Sequence, residues 1–100
     1  MNPPTNLSRV VNRKIYDVQN AQLLAGDDYW DGNSHERYGR NTFLYKSNRG
    51  DYFLARLTQW EDERDIIEPI TQDDAITYYQ RYLPVHRVDF TEAFPNVNLS

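Results

Sequence analysis

His35, Glu36 and Arg37 are adjacent, and Asp27, Asp28 and Asp31 lie just before them. An imidazole oriented by a carboxylate can act as a general base, so acid–base chemistry in this chain would sit here. A small hydrolase or transferase using His35 with Glu36 or Asp31 is therefore one reading. Against it, neighbouring residues of a loop seldom converge on one reacting atom, and solvated loop charges account for the same run. No nucleophile elbow, phosphate-cradling glycine loop or zinc helix accompanies it.

The same stretch has an Asp31-Gly32 turn of the kind used in calcium loops. The match fails at the coordinating positions, where the third residue would be Tyr29 and the twelfth Tyr38 instead of a bidentate glutamate. His35 and His86 are the only imidazoles and there are no cysteines. Neither a transition-metal site, a disulfide framework nor a thiolate nucleophile is expected, and no cofactor is implied.

What remains is recognition chemistry. Tyr29, Trp30, Tyr38 and Trp60 fall outside the predicted regular elements, and Arg37 and Arg40 share the first loop. Tryptophan, tyrosine and arginine dominate interface hot spots. Trp60 is followed by Glu61-Asp62-Glu63-Arg64-Asp65, an acidic run that could steer a basic partner or imitate a phosphate backbone. Segments 27–40 and 60–65 are thus read as one partner-binding surface. Its residues are Tyr29, Trp30, Asp31, Arg37, Tyr38, Trp60, Glu61, Asp62 and Glu63. The competing reading has the tryptophans capping a small core and the acids solvating a link.

Charge narrows the partner. The net charge is −4, yet residues 1–14 hold Arg9, Arg13 and Lys14 and no acid, so the remainder is more negative still. An acidic body repels phosphate backbones and favours a basic protein partner. A nucleic-acid binder led by Arg9, Arg13 and Lys14 stands as a third reading, one that would depend steeply on salt.

The elements that must position these groups are short. Residues 1–12 read as a loose leader with one helical turn near Leu7, followed by a strand at 13–16. Asp17 is placed to cap a helix over 18–25, with Gly26 ending it. Residues 42–46 and 52–58 are rich in β-formers, and Asn48-Arg49-Gly50 suits a hairpin loop with Gly50 in the left-handed position. In that register Tyr45 faces Phe53 and Leu44 faces Leu54. A strand over 64–70 carries Pro69, which places it at an edge. Thr71-Gln72-Asp73-Asp74 caps a helix with Ala75, Ile76, Tyr79, Tyr82 and Leu83 at helical spacing, and Pro84 stops it. A strand over 85–90 and a last helical turn at 91–94 close the order.

The expected fold is therefore α+β: a small antiparallel sheet with a central hairpin and two short helices packed mainly on one face. It would form one domain over residues 13–95, with a frayed 96–100. A hundred residues with 14% aromatics suffice for one core. Residues 1–4 lack a basic, then apolar, leader, and no apolar run approaches a membrane span, so a cytoplasmic protein is expected. An exposed hairpin edge and the tyrosine-rich helix would suit a homodimer.

Lys14-Ile15-Tyr16-Asp17, Gly39-Arg40-Asn41-Thr42, Gly50-Asp51-Tyr52-Phe53-Leu54 and Ile67-Glu68-Pro69-Ile70 running into Asp73-Asp74-Ala75 carry a likeness across residues 14–94. In these the chain resembles a family of short bacterial and mobile-element proteins with no established activity. The resemblance implies a setting in which small acidic proteins inhibit host defence, anti-CRISPR proteins among them, and brings no catalytic residues.

Overall fold

The computed structural model describes residues 3–27, 40–58 and 60–97. Its strands are β1 (Ser8–Val11), β2 (Lys14–Asp17), β3 (Ala21–Gly26), β4 (Arg40–Ser47), β5 (Tyr52–Thr58), β6 (Ile66–Ile70) and β7 (Val85–His86), with helices α1 (Gln72–Thr77) and α2 (Phe90–Ala93). Five strands make an antiparallel sheet in the order β6-β5-β4-β3-β7, and β1 and β2 form a separate two-stranded ribbon. The α+β class and the central hairpin stand as read from the sequence.

β4 and β5 pair with Tyr45 opposite Phe53 and Leu44 opposite Leu54. Alternation then sends Phe43, Tyr45, Phe53, Ala55 and Leu57 to one side and Leu44, Tyr52 and Leu54 to the other. Because both sides are apolar, the hairpin can serve only as the middle of a sheet covered on both faces. The ribbon covers one face through Leu7, Val11, Tyr16 and Val18. Phe53 stacks on Tyr45 at 5.4 Å between ring centroids and meets Tyr16 edge-on at 5.6 Å. The helices cover the other face through Ala75, Tyr79, Leu83, Ala93 and Phe94. The Tyr52 and Tyr79 hydroxyls donate to the carbonyls of Ala93 and Val88, which satisfies polar atoms carried into this layer. Burial raises both phenols above the usual tyrosine range, Tyr79 also through the charge of Asp89.

Several expectations are corrected. Residues 8–11 form a strand, not a helical turn in a loose leader: Asn12 and Arg13, at φ 51° and 66°, make the tight reversal that pairs β1 with β2. The expected helix over 18–25 is a single 3₁₀ turn, Val18–Asn20, and then β3. Asp17 does cap the turn, accepting from Gln19 N at 2.9 Å. The pairing of β3 with β4 slips between Leu23 and Ala25, so Leu23 stays on the ribbon side while Leu24 and Ala25 both join the helix side. That bulge turns a period of two into a spacing that imitates a helix. Third, the hairpin has no exposed edge, since β3 flanks β4 and β6 flanks β5. The final strand is also shorter than expected, Val85–His86 alone.

The helix begins as predicted, with the Thr71 side chain accepting from Asp74 N. It continues past α1 as a π-helical turn, Tyr78–Tyr82, closed by Leu83 N donating to Tyr78 O at 2.9 Å. The wider turn shifts the phase of the apolar stripe: Tyr79 and Leu83 are buried while Tyr82, expected inside, is exposed.

Candidate binding site

Asp27 and Arg40, the described ends of the first segment, lie at the same end of the sheet as residues 60–65. Residue 40 opens β4 and pairs with Thr58, which closes β5, so the re-entry of segment 27–40 lies beside the start of the 60–65 turn. Arg40 Nε and Nη2 donate to Glu63 Oε1 and Oε2 at 3.0 and 2.6 Å. Glu63 Oε1 also accepts from the Thr58 hydroxyl at 2.7 Å, Trp60 N donates to Thr58 Oγ1, and Thr58 N donates to Asp65 Oδ1. The hydrogen bond from Arg40, then that from Thr58, hold the Glu63 carboxyl below the usual carboxylate range, and Glu63 in turn raises Arg40. Glu63 is therefore a tie that shapes the turn. Glu61 and Asp62 are exposed, and Trp60 is half-exposed.

The exit of the same segment is clamped as firmly. Asp27 Oδ1 accepts from Asn41 Nδ2 at 3.0 Å and from Thr42 N at 2.8 Å, and Asp27 N donates to Thr42 O. Asn41 is buried, so its amide needs this partner. Asp27 thus ties the end of β3 to β4 through the Asn41 amide and the Thr42 backbone. Among the described residues no group of His, Asp or Glu side chains gathers as a metal site.

Beside the tie a groove of about 410 Å³ opens on the helix side of the sheet, lined among others by Arg40, Thr42, Arg56, Arg64 and Ile66. The Tyr78 hydroxyl reaches Arg56 at the far side of this groove, and Ile66 stays exposed. A second groove of about 390 Å³ runs between β1 and β6, lined by Leu7, Ser8 and Arg9 and again by Arg64 and Ile66. Arg64 and Ile66 therefore form the ridge between two grooves. Ile66 is 43% exposed, and Arg64 makes no ion pair or hydrogen bond with another described residue.

Further along the helix-side groove, Arg56 donates from Nε and Nη2 to Glu68 Oε2 at 3.0 and 2.8 Å, and from Nη2 to the Tyr78 hydroxyl at 2.8 Å. Burial works against its charge, but the bonds to Glu68 and Tyr78 outweigh it and leave Arg56 raised. Tyr78 and exposed Tyr82 lie at 5.4 Å between ring centroids. The strip thus offers an isoleucine, two tyrosines and three arginines.

Of the residues named from sequence, Trp60, Glu61, Asp62 and Glu63 stand on this end of the molecule. Tyr29, Trp30, Asp31, Arg37 and Tyr38 lie outside the described residues, as does His35 of the catalytic reading. Sequence reasoning missed Arg56, Ile66, Tyr78 and Tyr82 as surface groups. Pro69 marked β6 as an edge, and that was the available signal that Ile66 could face solvent.

The basic N-terminal residues are largely spoken for. Arg9 Nη1 donates to Ile67 O at 2.7 Å and Lys14 Nζ lies 3.7 Å from Asp51 Oδ1. No helix among the described residues is long and apolar enough to cross a membrane. Comparison with family models, curated proteins and solved structures returned no match to this chain.

Proposed function

We propose that the protein is a non-enzymatic binding module that engages a protein partner with the ridge and grooves at the β6 end of its sheet. The ridge carries the reading: Arg64, which pairs with no other described residue, and exposed Ile66 stand between two grooves, beside half-exposed Trp60. Burying Ile66 and Trp60 under a partner would supply apolar contact, and the fixed Arg40–Glu63 and Arg56–Glu68 pairs would set register at little entropic cost. Exposed Glu61 and Asp62 would speed encounter with a basic partner.

In its narrower form the partner is a nucleic-acid-handling complex of the host, blocked stoichiometrically by a small acidic protein of a phage or mobile element, in the cytoplasm. The acidic turn, the net charge of −4 and the family resemblance support that form.

The test is capture from a native host lysate with two baits, the wild-type chain and an Ile66→Ser/Arg64→Ala double variant. The reading expects a protein retained in stoichiometric amount by the first and lost from the second. A partner held equally by both baits would remove the ridge from the account.

A further inference from the structure

Tyr79 is gripped by the segment that follows the helix. Its ring stacks on the His86 imidazole at 3.8 Å between centroids, 13° from parallel. Its hydroxyl donates to Val88 O at 2.7 Å. Its carbonyl oxygen lies 2.7 Å from His86 Nε2. A carbonyl can only accept, so the imidazole carries its proton on Nε2 and donates.

The bond from His86 meets a shortage that the π turn creates. Leu83 N donates to Tyr78 O, five residues back, where an α-helix would send it to Tyr79 O. Continued by one residue, the π pattern would give Tyr79 O to the N–H of residue 84. Residue 84 is proline and has none. Tyr79 is buried, and a buried carbonyl without a donor is costly. His86 supplies the donor that Pro84 lacks.

The same carbonyl has an alternative donor in Leu83 N, which would close the turn to α. The choice moves Tyr82. In the wide turn it is 57% exposed, with its ring 5.4 Å from that of Tyr78. At α spacing it falls toward the buried stripe of Ala75, Tyr79 and Leu83. His86 itself stands on a slight support. β7 has two residues, paired with Ala25 and Gly26 at the edge of the sheet.

We propose that His86 and the π turn form a two-register device. With β7 on β3, the imidazole holds Tyr79 O and Tyr82 stands in solvent. When β7 lifts, Leu83 N passes from Tyr78 O to Tyr79 O, the last turn closes to α, and Tyr82 turns inward. The state of the β7 edge is thereby transmitted to the tyrosine face of the helix. The device belongs to the free chain and does not rest on the ridge being the partner surface.

The experiment measures through-hydrogen-bond N–C′ couplings in the isotopically labelled full chain, together with hydroxyl-radical oxidation of Tyr82. Wild type should couple Leu83 N to Tyr78 C′. His86→Phe keeps a ring against Tyr79 and removes the donor. In that variant the Tyr78 coupling should be lost, a coupling to Tyr79 C′ should replace it, and Tyr82 oxidation should fall. His86→Gln keeps a donor without the ring, and should retain both the Tyr78 coupling and the wild-type oxidation of Tyr82. Leu83 remaining on Tyr78 in His86→Phe, loss of both couplings there, or unchanged Tyr82 oxidation would overturn the proposal. So would an α register in His86→Gln, which would remove the donor as the determinant. Failure of His86→Phe to fold would show that Leu83 cannot take over from His86, and would overturn it equally.

Discussion

Arg40 Nη2 lies 2.6 Å from Glu63 Oε2, and this contact joins the residue where segment 27–40 re-enters the sheet to the acidic turn after β5. Since the Glu63 carboxyl is held below its ordinary range, first by Arg40 and then by Thr58, its contribution to stability is present above the unfolded value of about 4.3 and is lost as pH falls through the lower folded value. Glu63→Gln should therefore be less stable than wild type at neutral pH, and the difference should shrink on acidification below that window. Urea titrations of both proteins across the acid range check the sign.

Phe53 is fully buried and touches aromatic rings of β2 and β4. Phe53→Ala should cost about 3–5 kcal/mol, enough to unfold much of a marginal domain, whereas Phe53→Leu should cost markedly less. Equilibrium denaturation of the two variants measures the ratio.

Arg13→Gly should stabilise the protein. Relieving a left-handed arginine in the ribbon turn is worth about 1 kcal/mol, or about 4–8 °C in Tm for a domain of this size. A calorimetric scan showing a lower Tm would contradict the turn geometry.

Gly50, at φ +90°, has open space where a Cβ would stand. Gly50→Ala should thus lose about 1–2 kcal/mol from backbone conformation alone, with no repacking of the hairpin around it. Denaturation together with unchanged amide shifts in the strands away from the turn would show that origin.

The hairpin was legible because alternation, turn chemistry and pairing all agree over residues 42–58. Its register follows from where the apolar side chains must go. The helix cap at Thr71 was legible for the same local reason. β3 was not. Ala21, Leu24 and Ala25 fall at helical spacing only because a bulge puts two consecutive residues on one side, and the need of β4 for a second pairing partner is invisible locally. β1 was hidden by a turn, Asn12-Arg13, that lacks the expected glycine. Tyr82 was misplaced by a π turn that sequence spacing does not announce.

The site divided along a similar line. Trp60 and the acids after it were visible as residue types. Their meeting with Arg40 depends on the pairing of β4 with β5, and the exposure of Ile66 depends on which elements pack over β6. Neither is a property of a short stretch of chain.

The central claim is that the β6 ridge is the partner-facing surface, and hydroxyl-radical footprinting of the purified complex tests it most directly. Trp60 and Ile66, half-exposed in the free protein, should both lose most of their oxidation on binding. Oxidation of both at the rate seen in the free chain, with protection elsewhere, would contradict the account.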